Sequence, residues 1–281
     1  MEIDKGKKFS VINTSPPRLE TYDKATGKAK YAADLSMPDM LIGAILGSPV
    51  AHAKILNVDT SRAERLPGVA AVVTAKDAGN VPWGHSPARY DETTFAVEKV
   101  RHVGDEVAAV VAVDEQTAKE ALELIKVDYE ELPALLDPVE ALAGGAPLLH
   151  QKYLGNISQE VHNHFGNVEE GFARADYIRT DRFMNNKIDG AMLEPQACLA
   201  VCDLQGKLTL WSSTQVSHYV QRTVAIALNL PIDKVRVIAP TVGGGFGIKA
   251  STGSHEIIAC LLAIKTGRPV KLVLDREQVF W

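Results

Sequence analysis

The 281-residue sequence lacks a long apolar run, a strong excess of one charge and an export signal. Its apolar runs are far shorter than the roughly 20 residues that span a bilayer, which argues against a transmembrane helix. Lys and Arg total 30 against 35 Asp and Glu, so the net charge of −5 does not favour nucleic acid as a partner. Lys5, Lys7 and Lys8 are not followed by the apolar segment of a secretory signal. By default, these absences predict a cytoplasmic protein.

Cysteine is also scarce, with Cys198, Cys202 and Cys260 as the only three. The first two lie four residues apart in an alternating apolar segment and therefore share one face of a predicted strand. No further Cys or His stands at metal-ligand spacing, so the pattern indicates buried thiols in a reducing compartment and no iron–sulfur ligand set on this chain. His162 and His164 have no third ligand nearby and indicate an exposed polar stretch.

The stretch that carries chemistry is a loop at 243–247, where four of five residues are glycine and the fifth is Phe246. The β-branched run 235–239 before it predicts a buried strand, and the apolar spacing of 254–265 after it predicts a helix. This arrangement directs backbone N–H groups at one point, which attracts an anion, an oxo group or a phosphate. The missing Cβ atoms allow close approach of a ligand, with Phe246 as a wall beside it. A tight turn without a ligand fits the local pattern equally well.

Neither of the two common nucleotide motifs is complete in this loop. A P-loop needs Gly-Lys-Ser/Thr, but Ile248 separates Gly247 from Lys249. The G-x-G-x-x-G spacing that begins at Gly243 fails at Ile248. A protein that binds phosphate or nucleotide through this loop in another geometry stays an alternative.

Composition divides the chain into four parts, and its length allows two domains. Residues 1–21 are polar and predict an N-terminal arm, and 22–138 predict a mixed α+β domain. Residues 139–155, with Gly-Gly-Ala-Pro at 144–147, predict a linker, and 156–281 predict a second α+β domain. The predicted fold class is therefore α+β.

Hydrophobic periodicity predicts the elements within these domains. The predicted strands lie at 41–46, 55–58, 69–74, 106–113, 177–183, 197–203, 207–212 and 235–239, and the predicted helices follow Thr60 and Asp114 and lie at 168–174, 217–228 and 254–265. The strands at 207–212 and 235–239 each run into a loop and then a helix. Gln215, in the first of these loops, is therefore predicted to meet the glycines at one end of one sheet.

Five segments together resemble one known family: 101–108 (Arg-His-Val-Gly-Asp-Glu-Val-Ala), 192–195 (Met-Leu-Glu-Pro), 213–215 (Ser-Thr-Gln), 243–247, and 270–277 (Val-Lys-Leu-Val-Leu-Asp-Arg-Glu). From about Tyr22 to Trp281, the chain resembles the N-terminal part of the large, molybdopterin-binding subunit of the xanthine dehydrogenase/aldehyde oxidase family. Residues 156–166 and 215–220 are most similar to the 4-hydroxybenzoyl-CoA reductase alpha-subunit branch. Nicotinate-type and other N-heterocycle dehydrogenases are close behind.

The resemblance implies a molybdenum hydroxylase. Its fold would be an a/b hammerhead-like domain at 22–138 and the first, incomplete part of a molybdopterin-binding α+β domain at 156–281. In this family the metal is carried by molybdopterin, expected here in the cytosine dinucleotide form, with no direct protein ligand. Electrons leave through 2Fe–2S clusters and FAD, which are expected on partner subunits and not on this chain.

Site residues follow from the matching motifs. Gln215 would hydrogen-bond the apical oxo ligand, because a neutral amide and backbone dipoles stabilise an oxo group without adding a charge beside the metal. No catalytic residue is expected on this chain, since the family's catalytic glutamate lies in a C-terminal part, and Glu194 is expected to be a buried, hydrogen-bonded turn residue. The cofactor-binding residues that the resemblance implies are Gln215, Gly244, Gly245, Phe246 and Gly247.

The sequence departs from the family in two places. Ala250 stands where purine-oxidising members carry a substrate-contacting glutamate, so an aromatic, N-heterocyclic or aldehyde substrate is expected in place of xanthine. The sequence ends at Trp281, before most pterin contacts, so a second polypeptide is expected to complete the active site and the isolated chain is expected to be inactive. A truncated fragment, or a non-catalytic scaffold or assembly module that has lost the metal, are the alternatives.

Overall fold

The structure, a computed structural model, describes residues 10–85 and 90–281 and within them ten β-strands. The strands are β1 (Leu41–Gly47), β2 (Ala53–Asp59), β3 (Val69–Thr74), β4 (Lys99–Val100), β5 (Glu106–Ala112), β6 (Lys126–Glu131), β7 (Ala197–Cys202), β8 (Leu208–Ser212), β9 (Val235–Ile238) and β10 (Val270–Val273). The α-helices of the same residues are α1 (Thr21–Ala25), α2 (Ser61–Glu64), α3 (Ala75–Ala78), α4 (Glu115–Glu123), α5 (Pro138–Ala141), α6 (Val168–Arg174), α7 (Ser217–Ala227), α8 (Ser254–Thr266) and α9 (Arg276–Val279). The α+β fold class is confirmed.

A seven-stranded sheet runs through both regions that the sequence divides, in the order β3-β5-β1-β10-β7-β8-β9. The junction is the parallel pair β1 and β10, in which Leu41 faces Val270. The largest apolar core likewise contains Leu41 from the first region and Leu210 from the second. The two regions therefore share one sheet and one core, and the domain boundaries drawn from the sequence stay a prediction.

The smaller sheet, β4-β2-β6, belongs to the N-terminal region alone. All its pairings are antiparallel, with Ala53 opposite Val100 and Ile55 opposite Tyr129. A small apolar cluster that includes Ala53, Val100 and Val107 lies beneath it. Because Val107 belongs to β5, this cluster attaches the small sheet to the large one.

Local sequence explains most element boundaries. β5 is an apolar run whose residues from Val107 onward are buried, as expected for a strand covered on both faces. α4 begins after Asp114, whose carboxylate accepts a hydrogen bond from the Thr117 N–H at 2.7 Å, as predicted for an N-cap. α6 and α7 also lie where the periodicity predicts them. No helix of the described ranges is long and apolar enough to cross a membrane.

The predicted strand at 177–183 is wrong. Residues 175–196 lie outside any helix or strand, and the side chains of Tyr177 and Phe183 are exposed. β7, the next strand along the chain, already pairs with β10 on one side and β8 on the other. A β-rich stretch forms a strand only where an edge is open to it, and β7 has no open edge.

Candidate cofactor-binding site

The two loops predicted to meet do so at the carboxyl ends of β8 and β9. These strands are parallel neighbours, with Trp211 opposite Ile238 at their last pairing. Loop 213–216 connects β8 to α7, and residues 239–253 connect β9 to α8. Parallel strands place the loops that follow them at the same edge of a sheet. The prediction that Gln215 lies beside the glycines is confirmed.

Gln215 is held against the glycine loop by its backbone and its side chain. Its N–H donates to the Lys249 carbonyl at 2.9 Å, and its side-chain Oε1 accepts from the Gly247 N–H at 3.2 Å. A Cβ added at Gly245 would overlap the Gln215 carboxamide. Within the described residues, the amide NH₂ of Gln215 has no protein acceptor. The side chain is thus fixed in place with its donor free.

The backbone of the glycine loop enters the left-handed region three times. Gly244 has φ +101°, Phe246 has φ +50° and Gly247 has φ +91°. For a non-glycine residue this conformation costs about 1–2 kcal/mol. The Phe246 side chain is 75% exposed, so burial of its ring does not offset that cost. Such local strain persists only where the surrounding structure over-determines it.

Backbone donors in this loop are open to a ligand. The N–H groups of Gly244, Gly245 and Phe246 have no acceptor in the part of the chain that the structure describes. Together with the NH₂ of Gln215 they form a group of neutral donors, which suits an anionic or oxo-bearing ligand. Within residues 10–85 and 90–281, no cluster of three His, Cys, Asp or Glu side chains could hold a bare metal ion.

Helix α8 begins at Ser254, where the sequence predicts it, and is set apart from the glycines by a short connection. A 3₁₀ turn at Ile248–Ala250 and residues 251–253 separate the loop from the helix. The Gly253 N–H at the start of α8 donates to Glu256 Oε2 at 3.0 Å, so the helix caps itself. The prediction of a helix that begins at 254 is therefore confirmed, and its N-terminus is capped by its own Glu256.

Beneath the loops lies a cavity of about 300 Å³ whose lining includes buried polar groups. Glu256 accepts a hydrogen bond from the Ser212 hydroxyl, and burial raises the pKa of its carboxyl to about 7. Burial, with a smaller contribution from the Lys249 charge, lowers the pKa of His255 to about 4, so this imidazole is neutral at pH 7. The cavity therefore contains one carboxyl, that of Glu256, whose pKa lies near neutrality, and one neutral imidazole, that of His255.

Glu194 and Lys249 form a buried ion pair under the glycine loop. The Lys249 ammonium lies 2.7 Å from Glu194 Oε2, with the two side chains 0% and 9% exposed respectively. The same carboxylate oxygen accepts from the Gly243 N–H at 2.6 Å. Glu194 is a buried, hydrogen-bonded turn residue, as predicted.

Sequence reasoning missed Lys249, Glu256 and His255. One signal could have identified the first: Lys249 is the only Lys, Arg, Asp or Glu between Arg236 and Glu256. A lone charge in an apolar and glycine-rich stretch is expected to be either exposed or paired, and the sequence does not decide which. The sequence gives no comparable indication that Glu256 and His255 are buried at the start of α8, because both residue types are ordinary in a first helical turn.

The three cysteines lie away from any metal-binding arrangement. All are free; Cys198 and Cys260 are buried and Cys202 is partly exposed. Burial raises the pKa of both buried thiols well above its ordinary value. They therefore remain protonated at neutral pH, which suits packing in the core.

Comparison with family models identifies both regions of the chain. Residues 149–281 match the molybdopterin cofactor-binding domain, and residues 26–133 match the aldehyde oxidase and xanthine dehydrogenase a/b hammerhead domain. Among curated relatives, the chain is 37% identical to the carbon monoxide dehydrogenase large chain of Afipia carboxidovorans, over 98% of this chain and 36% of that one. It is 36% identical to the nicotinate dehydrogenase large molybdopterin subunit of Eubacterium barkeri, over 97% of this chain and 63% of that one.

Solved structures show the same likeness. A Cu,Mo-CO dehydrogenase superposes with a TM-score of 0.84 at 37% identity, covering 94% of this chain and 35% of that chain. Quinoline 2-oxidoreductase from Pseudomonas putida 86 gives 0.86 at 32% identity, covering 95% of this chain and 35% of that chain. The chain thus spans about a third of the length of most of these relatives. The nicotinate dehydrogenase subunit is substantially shorter than the others.

Fold and sequence together define a molybdopterin cofactor-binding region joined to an a/b hammerhead domain. The chain belongs to the xanthine dehydrogenase/aldehyde oxidase family, in the part of it that binds molybdopterin. The residues at the loops fit that cofactor, since they present neutral donors and a loop in which four of five residues lack a Cβ atom. Its similarity to the 4-hydroxybenzoyl-CoA reductase branch stays a prediction.

Proposed function

We propose that the chain is part of the molybdopterin-binding unit of a molybdenum hydroxylase or dehydrogenase, and that loops 213–216 and 243–247 hold the metal end of the cofactor. One observation carries this proposal. The carboxamide of Gln215 is fixed by the Gly247 N–H at 3.2 Å, and its NH₂ group is left free to donate. A side-chain donor that is preorganised before ligand arrives is what stabilisation of an oxo group requires.

When bound, molybdopterin supplies the oxidation of substrate and the transfer of oxygen. This chain's residues would hold and orient the cofactor: the Gln215 amide and the free N–H groups of Gly244 and Gly245 would donate hydrogen bonds to it. These donors are neutral, so they stabilise negative charge without altering the net charge of the site. The exposed ring of Phe246 provides an apolar wall against which a flat substrate can pack.

We infer that the catalytic base comes from elsewhere in the molybdopterin-binding unit. Glu194 already accepts two hydrogen bonds through Oε2, from Lys249 and Gly243. Glu256 is 2% exposed and bonded to Ser212, and so cannot reach a substrate at the loop. The relatives carry about two thirds of their length outside the matched part, and we propose that the base lies in an equivalent polypeptide. Without it, this chain is expected to show no turnover.

The extended segment 175–196 supports such a covering polypeptide. It has no helix or strand of its own, yet it presents large apolar side chains that are 83–91% exposed. They are Phe183, Met184, Ile188 and Leu193. Several large apolar residues exposed within one segment indicate an interaction surface. We propose that the rest of the molybdopterin-binding unit covers this segment.

The remaining parts of the proposal rest on the family. The cofactor would be the cytosine dinucleotide form, 2Fe–2S and FAD subunits would take the electrons, and the complex would act in the cytoplasm. The substrate would be an aromatic, N-heterocyclic or aldehyde compound. Two relatives named for N-heterocycles, nicotinate dehydrogenase and quinoline 2-oxidoreductase, favour the N-heterocyclic class. Ala250 fits a substrate that needs no carboxylate at that position.

The test is to purify the chain with its accompanying polypeptides and to measure molybdenum and the nucleotide released on hydrolysis. Gly245→Ala places a methyl group on the Gln215 carboxamide and should lower bound molybdenum on the order of tenfold, or 1.4 kcal/mol of binding free energy. Gly144→Ala is the matched control, because its Cβ would meet nothing within 4 Å. Cytidine monophosphate is the expected nucleotide.

Two outcomes would contradict this proposal. The first is a wild-type complex that contains no molybdenum. The second is a folded Gly245→Ala protein with the molybdenum content of the Gly144→Ala control. Metal binding would then not depend on the close contact between Gln215 and the glycine loop.

A further inference from the structure

We propose that the buried Glu194–Lys249 ion pair is a positioning device that sets the shape of the glycine loop and the placement of Gln215. This inference rests on the function proposed above, because it assigns the loop geometry to cofactor binding. Neither residue touches the cofactor in this proposal. Both act through the backbone groups that they hold.

The contacts connect both ends of the loop to a single carboxylate. Glu194 makes two hydrogen bonds to Gly243, at the start of the loop. Its side-chain Oε2 accepts from the Gly243 N–H at 2.6 Å, and its own N–H donates to the Gly243 carbonyl at 3.3 Å. Lys249, at the end of the loop, reaches the same carboxylate oxygen at 2.7 Å. The five residues 243–247 therefore span two anchor points that meet at Glu194 Oε2.

Lys249 also connects the loop to Gln215. Its carbonyl accepts from the Gln215 N–H at 2.9 Å and from the Thr214 hydroxyl at 3.3 Å. A shift of Lys249 therefore displaces the residue that carries the free carboxamide. One ion pair thus controls the relative position of both loops.

Stability alone is a poor explanation for this pair. Removing two charges from water is expensive, and buried ion pairs are often replaced by apolar residues without loss of stability. This pair is also incompletely satisfied, since Glu194 Oε1 is buried and has no hydrogen-bond partner within the described ranges. Buried polar groups left in that state call for a specific role. Beside it, the loop holds a non-glycine residue, Phe246, at φ +50°, a conformation that needs external restraint.

A neutral double variant separates positioning from stability. Lys249→Met leaves a buried, unpaired carboxylate and should destabilise the protein strongly. Glu194→Gln combined with Lys249→Met removes both charges and keeps an acceptor for the Gly243 N–H. The double variant should therefore regain most of the thermal stability that the single variant loses. It should not regain the loop geometry, because the anchor at Lys249 is absent.

Loop geometry is measured by hydrogen exchange, with the protein in its purified complex. The protected amides are those of Gln215, Gly247 and Ile248, each of which donates a hydrogen bond. They should exchange about tenfold faster in the double variant, which is the factor that a 1.4 kcal/mol easier local opening gives. Molybdenum content should fall in parallel. Lys271→Met is the control: this lysine donates to the carbonyls of Ala33 and Leu35, away from the loop.

The outcomes are distinguishable from those of the proposed function. Wild-type exchange at the loop in a stable double variant overturns the positioning role, whether or not molybdenum binds. Failure of the double variant to regain stability assigns the pair to folding and also overturns it. Absence of molybdenum from the wild-type complex overturns the proposed function. Hydrogen exchange at the loop still tests whether the ion pair sets the loop geometry.

Discussion

Both halves of the large sheet bury apolar residues, but the second half also buries a lysine and a glutamate. On one side, β5 buries an uninterrupted run from Val107 to Ala112 against β1 and β3. On the other, the loop after β9 and the first turn of α8 bury a lysine, a glutamate and a histidine: Lys249, Glu256 and His255 are between 2% and 8% exposed. The sheet is continuous, so this contrast is one of composition and not of fold.

That contrast separates apolar burial, which stabilises the fold, from the buried charges and the strained loop at the candidate site. Apolar burial in the first half contributes roughly 25 cal/mol per Å² of area removed from water. Buried charges and the left-handed Phe246 in the second half oppose folding unless partners compensate them. Deviations of this kind are expected at functional sites. Mutations in the two halves should therefore differ in both size and character.

The largest effect is expected from the apolar half. Leu41→Ala removes a fully buried side chain in β1 and should lower the free energy of unfolding by about 2–5 kcal/mol, through lost burial and the cavity left behind. Urea denaturation measures this as a lower midpoint with an unchanged m-value. Molybdenum content of the folded protein should not change. A loss of stability below about 1 kcal/mol would break the comparison, because apolar burial in the first half would then contribute little to stability.

Elements with strong local signals could be predicted from the sequence. β5 and α4 are examples: an unbroken apolar run marks the first, and an Asp114 cap followed by period-3.6 spacing marks the second. The segment 177–183 has an equally β-like composition but cannot pair with β7, the strand that follows it, because β10 and β8 already occupy both edges of β7. Strand formation there depends on partners that composition does not reveal. Nor does any local pattern show that β1 and β10, far apart in sequence, would join two regions into one sheet.

For the candidate site, the sequence predicts the residues at the surface and the burial of Glu194, but it misses the partner of Glu194 and the other titratable residues beneath the loops. Gln215 and the glycines follow strand ends, and their meeting follows from the geometry of parallel strands. The Glu194–Lys249 pair joins residues 55 positions apart, and only the folded chain shows that their charges are buried together. Such pairs are set by tertiary packing, which periodicity does not encode.

An intermediate effect is expected at Glu256, in the polar half. Its folded-state pKa is raised from 4.5 to about 7, so the folded protein binds more protons than the unfolded chain between those values. Stability therefore falls as pH rises through this window, by roughly 3 kcal/mol at 1.36 kcal/mol per pKa unit. Glu256→Gln cannot ionise, so wild type should lose stability relative to this variant between about pH 4.5 and pH 7. Above pH 7 the free energies of unfolding of the two proteins should change with pH in parallel.

Urea denaturation across that pH range measures the difference, with Glu123→Gln at an exposed position of α4 as the control. Parallel pH profiles for wild type and Glu256→Gln would show that this carboxyl titrates as it does in the unfolded chain. The polar half would then carry no electrostatic penalty, and the contrast between the halves would rest on Phe246 and the ion pair.

The smallest effect tests the strain at Phe246. Asn adopts the left-handed conformation far more readily than Phe, and the Phe246 ring is 75% exposed, so Phe246→Asn should raise the free energy of unfolding by about 1 kcal/mol. Asn229, exposed and at φ +51°, provides the reverse control, because Asn229→Phe should lower stability by a similar amount. Thermal unfolding of the two variants measures both. If Phe246→Asn raises the free energy of unfolding and weakens binding of an aromatic substrate, the loop keeps a strained aromatic wall at the expense of stability. If Phe246→Asn does not raise the free energy of unfolding while Asn229→Phe lowers it as expected, local contacts of Phe246 compensate the strain.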